Sequence, residues 1–265
     1  MFNPNELILE RIVTVEGFDP ADGSIALRNT QIESPNLTTS ATSTAVVDAL
    51  GTTITEFYQA QTGTFSYTNS LLSLDLAAKQ FGSPKQLGGT GNEIISPASE
   101  LLTIGTDATV VLKHAPFGEE NKEIGTVTVV DADGAFGKTY TQITGTVTED
   151  TFTLDVDTKT ITFNTGTVGK VLVAYNYKAA DAVKLTKTTD SVPETLKLHI
   201  KALFHPPCNP NLLYTGWIIC PRAQIDISDV SLSLTSDGKH PVSYKLQKDY
   251  CADKATLFDI IVVKD

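Results

Sequence analysis

The chain has 265 residues, of which 41% are hydrophobic and 19% charged, and its formal net charge is −11. This balance excludes a disordered chain, which would hold fewer apolar and more charged residues. The negative charge excludes a protein that binds nucleic acid or an anionic membrane through positive side chains that neutralise phosphates. Threonine occurs 37 times and loses rotamer freedom in helices, so the composition predicts a mainly β fold.

The cysteines and the N-terminal segment indicate where the chain is made. Cys208, Cys220 and Cys251 are an odd number in a chain large enough to form a core, so we expect free thiols. Glu10 and Arg11 interrupt the only apolar run near the N-terminus, which therefore lacks the pattern of a signal peptide. No uncharged apolar run approaches the roughly 20 residues of a membrane helix. We expect synthesis in a cytoplasm and no membrane partner.

The first predicted element is a β-hairpin formed by Ile8 to Val15 and Ser24 to Arg28. The Asp22-Gly23 pair between them tolerates the positive φ angles of a tight turn. The polar residues 34–44 then predict a loop, because they show no periodicity. Residues 45–51 fit either one helical turn or a strand.

One helix is predicted, and two strands precede it. Residues 52–58 and 62–67 are predicted to form strands. From about Ser70 to Phe81 the apolar residues recur at helical spacing, Asn69 or Ser70 can cap the start, and glycine and proline follow the end. This helix should lie across the sheet.

The remainder of the chain predicts strands and turns. Residues 83–99 are rich in Gly, Pro and Ser and predict an exposed loop, whereas residues 106–177 predict an antiparallel meander. The later predicted strands are Leu196 to Phe204, Leu212 to Cys220, Ala223 to Leu234, Val242 to Leu246 and Leu257 to Val263. We expect an antiparallel β-sandwich or barrel with one flanking helix. Residues 1–265 are interpreted as a single elaborated domain, with a semi-independent inserted module at 93–180 as the alternative.

The histidines and cysteines indicate neither catalysis nor metal binding. The four histidines lie outside any hydrolase or metalloprotease motif. His205 with Cys208, Cys220 and Cys251 offers soft ligands, but their spacing matches no common zinc pattern. Structural thiols are the simpler interpretation.

The glycine-rich and acidic patterns are equally incomplete. The run from Gly88 to Gly91 lacks the Gly-Lys-Ser/Thr of a phosphate loop. Asp131 and Asp133 begin like a calcium loop but lack its later ligands, so a hairpin turn is favoured. Asp155 and Asp157 share a strand face and could act as paired glycosidase carboxylates, but Thr and Asp alternating beside a turn are normal for a solvated strand edge. We therefore expect no catalytic residue, no metal and no cofactor.

A hairpin and strand near the middle of the chain carry a family resemblance. The segment from Thr151 to Phe163, then Gly166 and Gly169, then the alternating strand Val171 to Tyr177, resembles a pattern of bacteriophage major tail or tail-tube proteins. The order of the other elements agrees over most of the chain: an N-terminal strand pair, a Thr-rich region, one helix and paired strands at the end. Similar hairpins occur in other β-rich virion proteins and in Ig-like surface modules.

The resemblance implies a structural virion protein of the phage tail, without enzymatic activity. Its copies would form stacked rings, commonly hexameric, around a channel for DNA, and an acidic lumen would repel phosphate over a Debye length of about 8 to 10 Å. Residues 1–92 carry a net charge of −5, residues 93–180 carry −6 and residues 181–265 carry 0. Lumen-facing acids should therefore come mainly from residues 1–180. The implied partners are further copies of the chain, terminator, tape-measure or baseplate proteins, and DNA in transit.

Terminal and turn-rich segments are free to leave the core, so we expect assembly contacts there. The candidate contact residues are Phe2, Pro4, Leu7, Leu87, Ile94, Ile95, Ile261 and Val263. Two other functions share this composition. One is a head decoration or capsid-associated β protein, and the other is a cell-surface Ig-like adhesin, which the missing signal peptide disfavours.

Overall fold

The computed structural model describes residues 6–227, 230, 238–249 and 255–264. The chain forms two compact units, of which unit 1 comprises residues 1–85 and 185–265 and unit 2 comprises residues 86–184. In chain order the elements are β1 (Ile8–Phe18), β2 (Ile25–Asn29), β3 (Ile32–Ser40), β4 (Ser43–Val47), β5 (Thr53–Tyr58), β6 (Thr62–Asn69), α1 (Leu74–Phe81), β7 (Gln86–Leu87), β8 (Ile94–Thr103), β9 (Thr109–Val111), β10 (Ile124–Val130), β11 (Phe136–Gln142), β12 (Thr151–Asp155), β13 (Thr160–Phe163), β14 (Lys170–Ala179), β15 (Val183–Lys184), β16 (Thr195–His205), β17 (Tyr214–Ile225), β18 (His240–Leu246) and β19 (Asp259–Val263). The predicted mainly β class with one helix is confirmed.

Unit 1 is built on an eight-stranded sheet. Its order is β2-β1-β16-β17-β18-β6-β3, and β19 pairs with β17 at Thr215 to Ile219, beyond the part of β17 that pairs with β18. All of these pairings are antiparallel. The central strands alternate buried and more exposed residues because one face packs on a core. That core includes Phe65, Leu198 and Tyr244.

The helix α1 begins at Leu74, which corrects the predicted start near Ser70. Ser73 is its N-cap, since the Ser73 Oγ accepts the backbone N–H of Leu76 at 3.2 Å. The side chains of Asn69 and Ser70, the predicted caps, are hydrogen-bonded elsewhere. Strand β6 extends to Asn69, so the helix begins later in the chain than predicted.

The helix ends where the sequence predicts. Gly82 adopts a left-handed conformation with φ +64°, and its N–H donates to the Lys79 carbonyl at 3.3 Å. The Ser83 N–H donates to the Ala78 carbonyl at 3.2 Å. A β-carbon at Gly82 would lie 2.1 Å from the Val192 carbonyl oxygen. Both the backbone conformation and the lack of space therefore require glycine.

A buried histidine fixes the helix to the sheet. His240 on β18 is fully buried, and its Nε2 lies 2.6 Å from Gln80 Oε1. Its Nδ1 accepts the N–H of Ser73 at 3.4 Å, which leaves Nε2 as the protonated donor to Gln80. Gln80 Nε2 in turn donates to the Pro241 carbonyl at 3.0 Å. Burial lowers the pKa of His240 and so keeps the imidazole neutral.

We expect the subunit to lose stability as the pH falls from about 7.5 to about 5.5. Because the folded pKa of His240 is lowered, the unfolded chain binds a proton near pH 6.5 that the folded chain does not. The free energy of unfolding should fall by up to about 1.4 kcal/mol per pH unit below that point. Burial also lowers the pKa of His199, which acts in the same direction.

Urea unfolding across this pH range measures the effect. His240→Gln should flatten the pH dependence, and the same change at His199 should flatten it further. A His240→Gln profile that runs parallel to that of the native chain would contradict the prediction.

Unit 2 is built on a seven-stranded sheet with the order β8-β14-β10-β11-β12-β13-β9. Its pairings are antiparallel except for β11 with β12, where Thr141 pairs with Thr151 in parallel. Phe152, Ile161 and Val171 lie in a second hydrophobic core that belongs to this unit. The short strands β7 and β15 pair and so bring the two ends of unit 2 together.

Two predicted loops contain strands. Residues 34–44 include most of β3, which pairs with β6 on both sides of an irregularity that includes Ser34, where φ is +48°. Residues 83–99 contain β7 and the start of β8, which pairs with β14 over ten residues. Pairing with strands distant in sequence supplies the order that these polar residues do not indicate locally.

The strand β17 runs through the position where the sequence predicts a break. Pro221 does not end it, because the register with β16 shifts between Cys220 and Ala223 and leaves Pro221 at a bulge. Most of the alternating segment from Val230 to Leu234 lies outside the described residues.

Candidate assembly surfaces

The hairpin of β4 and β5 exposes apolar side chains along both of its strands. Ser43 pairs with Tyr58 and Val47 with Thr53, but among the described residues neither strand pairs with any other strand. Every residue of both strands is exposed. An isolated two-stranded hairpin is only marginally stable in water, and open edges invite pairing with another chain. This hairpin therefore has the properties of a segment that a neighbour covers.

The tip of the hairpin is ordered by its own hydrogen bonds. Asp48 Oδ1 accepts the N–H of Leu50 at 2.9 Å and of Thr52 at 2.8 Å. The Gly51 N–H donates to the Asp48 carbonyl at 3.0 Å, with a φ of +86° at Gly51. This turn presents the Leu50 side chain, which is 91% exposed, to solvent. An ordered apolar tip loses little conformational freedom on binding.

Further apolar side chains continue along the hairpin strands. They are Val46, Val47, Ile54, Phe57 and Tyr58. Successive residues of a strand point to opposite faces, so these side chains lie on both faces of the hairpin. Such exposure on both faces is unusual for a soluble monomer and indicates an interaction site.

The last described strand, β19, carries two of the predicted contact residues. Ile261 and Val263 are both exposed, as is Ile260. Since Ile260 and Ile261 point to opposite faces, both faces of β19 are open. One edge pairs with β17, and among the described residues no strand pairs with the other edge.

The predicted N-terminal contacts are only partly described. Leu7 is half-buried, and Ile8 and Leu9 at the start of β1 are exposed. Phe2 and Pro4 lie outside the described residues.

The remaining predicted contacts lie together in unit 2. Leu87 and Ile95 are exposed and Ile94 is half-buried, and all three line one hollow of about 380 Å³. Leu87 belongs to β7, while Ile94 and Ile95 open β8. They are therefore held by strand pairing rather than carried on a free loop.

Of the side chains considered for chemistry, Asp155 stabilises a turn and Cys220 is buried. Asp155 Oδ1 accepts the N–H groups of Asp157 and Thr158 in the turn after β12. Burial raises the pKa of the Cys220 thiol to about 12, and Cys208 is exposed and free. The described part of the chain holds no group of three or more His, Cys, Asp or Glu side chains that could bind a metal.

Asp131 and Asp133 likewise accept hydrogen bonds from backbone N–H groups in a turn. The Gly134 N–H donates to the Asp131 carbonyl at 2.9 Å, and the Ala135 N–H donates to Asp133 Oδ1 at 3.3 Å, which forms the β10–β11 hairpin turn.

Across the described ranges, the fold includes no helix with the length and apolarity that a membrane crossing requires.

Sequence reasoning missed the hairpin as an assembly surface. The β-branched and aromatic residues from Thr52 to Tyr58 predict strand β5, but the same residue types are typical of a half-buried strand. The turn from Asp48 to Gly51 was the available signal for a hairpin. Its exposure depends on which strands the fold places beside it.

Comparison with known proteins identifies the family. No curated protein matches the chain at a significant level. The model of the YomU/Tube protein family matches residues 7–258 and so spans nearly all of both units. The chain therefore belongs to the YomU/Tube protein family, a family of phage tail tube structural proteins.

Proposed function

We propose that the chain is the protomer of a phage tail tube, in which copies join into rings, of six protomers as the resemblance implies, and the rings stack around a DNA channel. The observation that carries this proposal is the β4–β5 hairpin, an ordered and apolar segment whose strands pair only with each other in the described structure. Because the chain belongs to a tube family, we propose that a second copy of the chain covers this hairpin. The role is structural and involves no reaction.

The open edge of β19 supports edge-to-edge joining between neighbours. A strand that pairs on one side and exposes apolar side chains on both faces can extend its sheet into the next protomer. Closure of such contacts around an axis gives a ring, in which no free edge remains.

The charge supports passage of DNA without adhesion. The protein carries 31 acidic and 20 basic residues, with the excess in residues 1–180. Carboxylates on the channel surface would repel phosphates over about one Debye length, near 8 Å at physiological salt. Residues 181–265, whose net charge is zero, then form the wall of the tube and the contacts between protomers.

We also infer that the chain is one tube domain elaborated by unit 2. Unit 2 has its own sheet and core, and β7 and β15 close its base. Terminator, tape-measure and baseplate proteins are the expected partners at the tube ends. The protein is made in the host cytoplasm and resides in the virion tail.

Electron microscopy of the purified protein and of the phage tests the proposal. We expect rings or tubes to form as protein concentration rises, and antibodies against the protein to label tails along their length. Monomers at every salt and protein concentration, together with unlabelled tails, would overturn the proposal. Labelling of heads alone would favour the decoration protein.

A further inference from the structure

The strongest unassigned feature of unit 2 is a hollow lined by lysines and aromatic rings. Its volume is about 320 Å³. The lining side chains that matter are Lys113, His114, Phe117, Lys159, Tyr177 and Lys178. Pockets for small ligands combine apolar walls with a few convergent polar groups, and this hollow has that composition at small size.

Three lysines converge here from distant parts of the chain. Lys113 follows β9, Lys159 precedes β13 and Lys178 lies near the end of β14. Unit 2 contains seven lysines against thirteen carboxylates, so three of its seven positive charges line one hollow. In the described structure none of the three forms an ion pair.

Two carboxylates close to these lysines, Glu100 and Asp155, accept hydrogen bonds from other donors. Glu100 accepts the hydroxyl of Tyr175 and the backbone N–H of Lys113, the latter at 3.1 Å. Asp155 is occupied by the turn amides described above. Backbone hydrogen bonds lower the pKa of Glu93 and the charge of Lys178 lowers it further, but no carboxylate of the described residues lies within ion-pair distance of the three ammonium groups, so they can still contact a ligand anion.

Lys159 is held in an unfavourable backbone conformation. Its φ is +59°, a region that glycine or asparagine normally occupies. Its Nζ lies 3.5 Å from the carbonyl oxygen of Lys113. This contact places the Lys159 ammonium group next to Lys113, another residue that lines the hollow.

The aromatic rings build a flat wall beside the lysines. His114 and Tyr177 stack with ring centroids 4.0 Å apart and an angle of 8° between the rings. Lys178 Nζ lies 4.4 Å from the Phe117 ring centroid. The wall offers apolar contact to a ring, while the ammonium groups offer contact to an anion.

From this arrangement we propose that the hollow binds a compact organic anion, in which a phosphate or carboxylate is attached to a ring. A sugar phosphate and an aromatic phosphate share this chemistry. Nucleic acid is disfavoured because it requires an extended basic surface, whereas these lysines stand in an acidic unit. The inference is independent of tube assembly.

Calorimetric titration of the full chain tests the proposal. The probes are glucose 6-phosphate, phenyl phosphate, inorganic phosphate, glucose and a short single-stranded DNA. We expect at least one organic phosphate to bind about tenfold more tightly than inorganic phosphate, because only it contacts the aromatic wall. The organic phosphate that binds more tightly shows whether the ligand carries a sugar ring or an aromatic ring.

Paired variants locate the binding. Lys159→Gln with Lys178→Gln should weaken organic phosphate binding by at least about tenfold. Lys170→Gln, at an exposed lysine of the same unit outside the hollow, should leave it unchanged. The proposal is overturned by equal affinity for inorganic and organic phosphate, by no binding of either, by an unaffected double variant, or by tighter lysine-dependent binding of the DNA.

Discussion

Replacing Leu50 and Phe57 of the β4–β5 hairpin by serine is expected to abolish tube assembly and to leave the protomer folded. Each side chain contributes about 1.5 to 3 kcal/mol when a neighbour buries it. Loss of both therefore raises the concentration needed for assembly by roughly 10² to 10⁴-fold, since 1.4 kcal/mol is tenfold. The thermal midpoint of the protomer should not change, because both side chains are already exposed.

Phe136→Ser provides the matched control. Phe136 is 69% exposed and Phe57 is 63% exposed, but Phe136 lies on β11 in unit 2. Sedimentation and electron microscopy compare assembly of the native chain, the double variant and the control at equal concentrations. Tubes from the double variant at the native concentration would refute the role of the hairpin, as would equal loss of assembly in Phe136→Ser.

Gly82→Ala is expected to cause the largest loss of protomer stability from a single methyl group. The left-handed backbone at Gly82 disfavours any β-carbon, and the new methyl would overlap the Val192 carbonyl oxygen at 2.1 Å. Because backbone atoms on both sides must move, the free energy of unfolding should fall by about 3 kcal/mol or more. Urea denaturation followed by circular dichroism measures this loss.

Gly23→Ala separates the two causes. Gly23 has a φ of +73°, and no atom lies within 4 Å of the added β-carbon. This variant should lose only about 1 kcal/mol, the cost of the left-handed conformation alone. If Gly82→Ala were no more harmful than Gly23→Ala, the close packing of Val192 on the helix end would have no energetic importance.

The strands and the helix could be predicted where local signals are strong. Asp22-Gly23 marks the first hairpin, Gly82 marks the helix end and alternation marks β12 to β14, and the structure confirms each. The start of the helix could not be placed, because Asn69, Ser70 and Ser73 are all acceptable caps. Ser73 is the N-cap because β6 pairs with β18 as far as Asn69, so the helix can begin only after that strand ends.

The candidate assembly surface could be predicted only in part. Ile261 and Val263 are exposed on β19, but the hairpin that exposes Leu50 and Phe57 was not recognised as a surface. Phe57 on β5 and Phe65 on β6 both stand in short runs that contain Thr and a second aromatic residue. Phe65 is buried and Phe57 is exposed, because β6 pairs with β3 and β18 while β5 pairs only with β4 in the described structure.

The sequence by itself determined the mainly β class, the single helix, the acidic charge and the lack of recognisable catalytic motifs. These properties depend on composition and on neighbours a few residues apart. Only the tertiary structure decided which apolar strands face solvent and which lysines meet, as Lys113, Lys159 and Lys178 do in unit 2. Burial and convergence depend on strand pairings between residues far apart in the chain, and local periodicity carries no record of them.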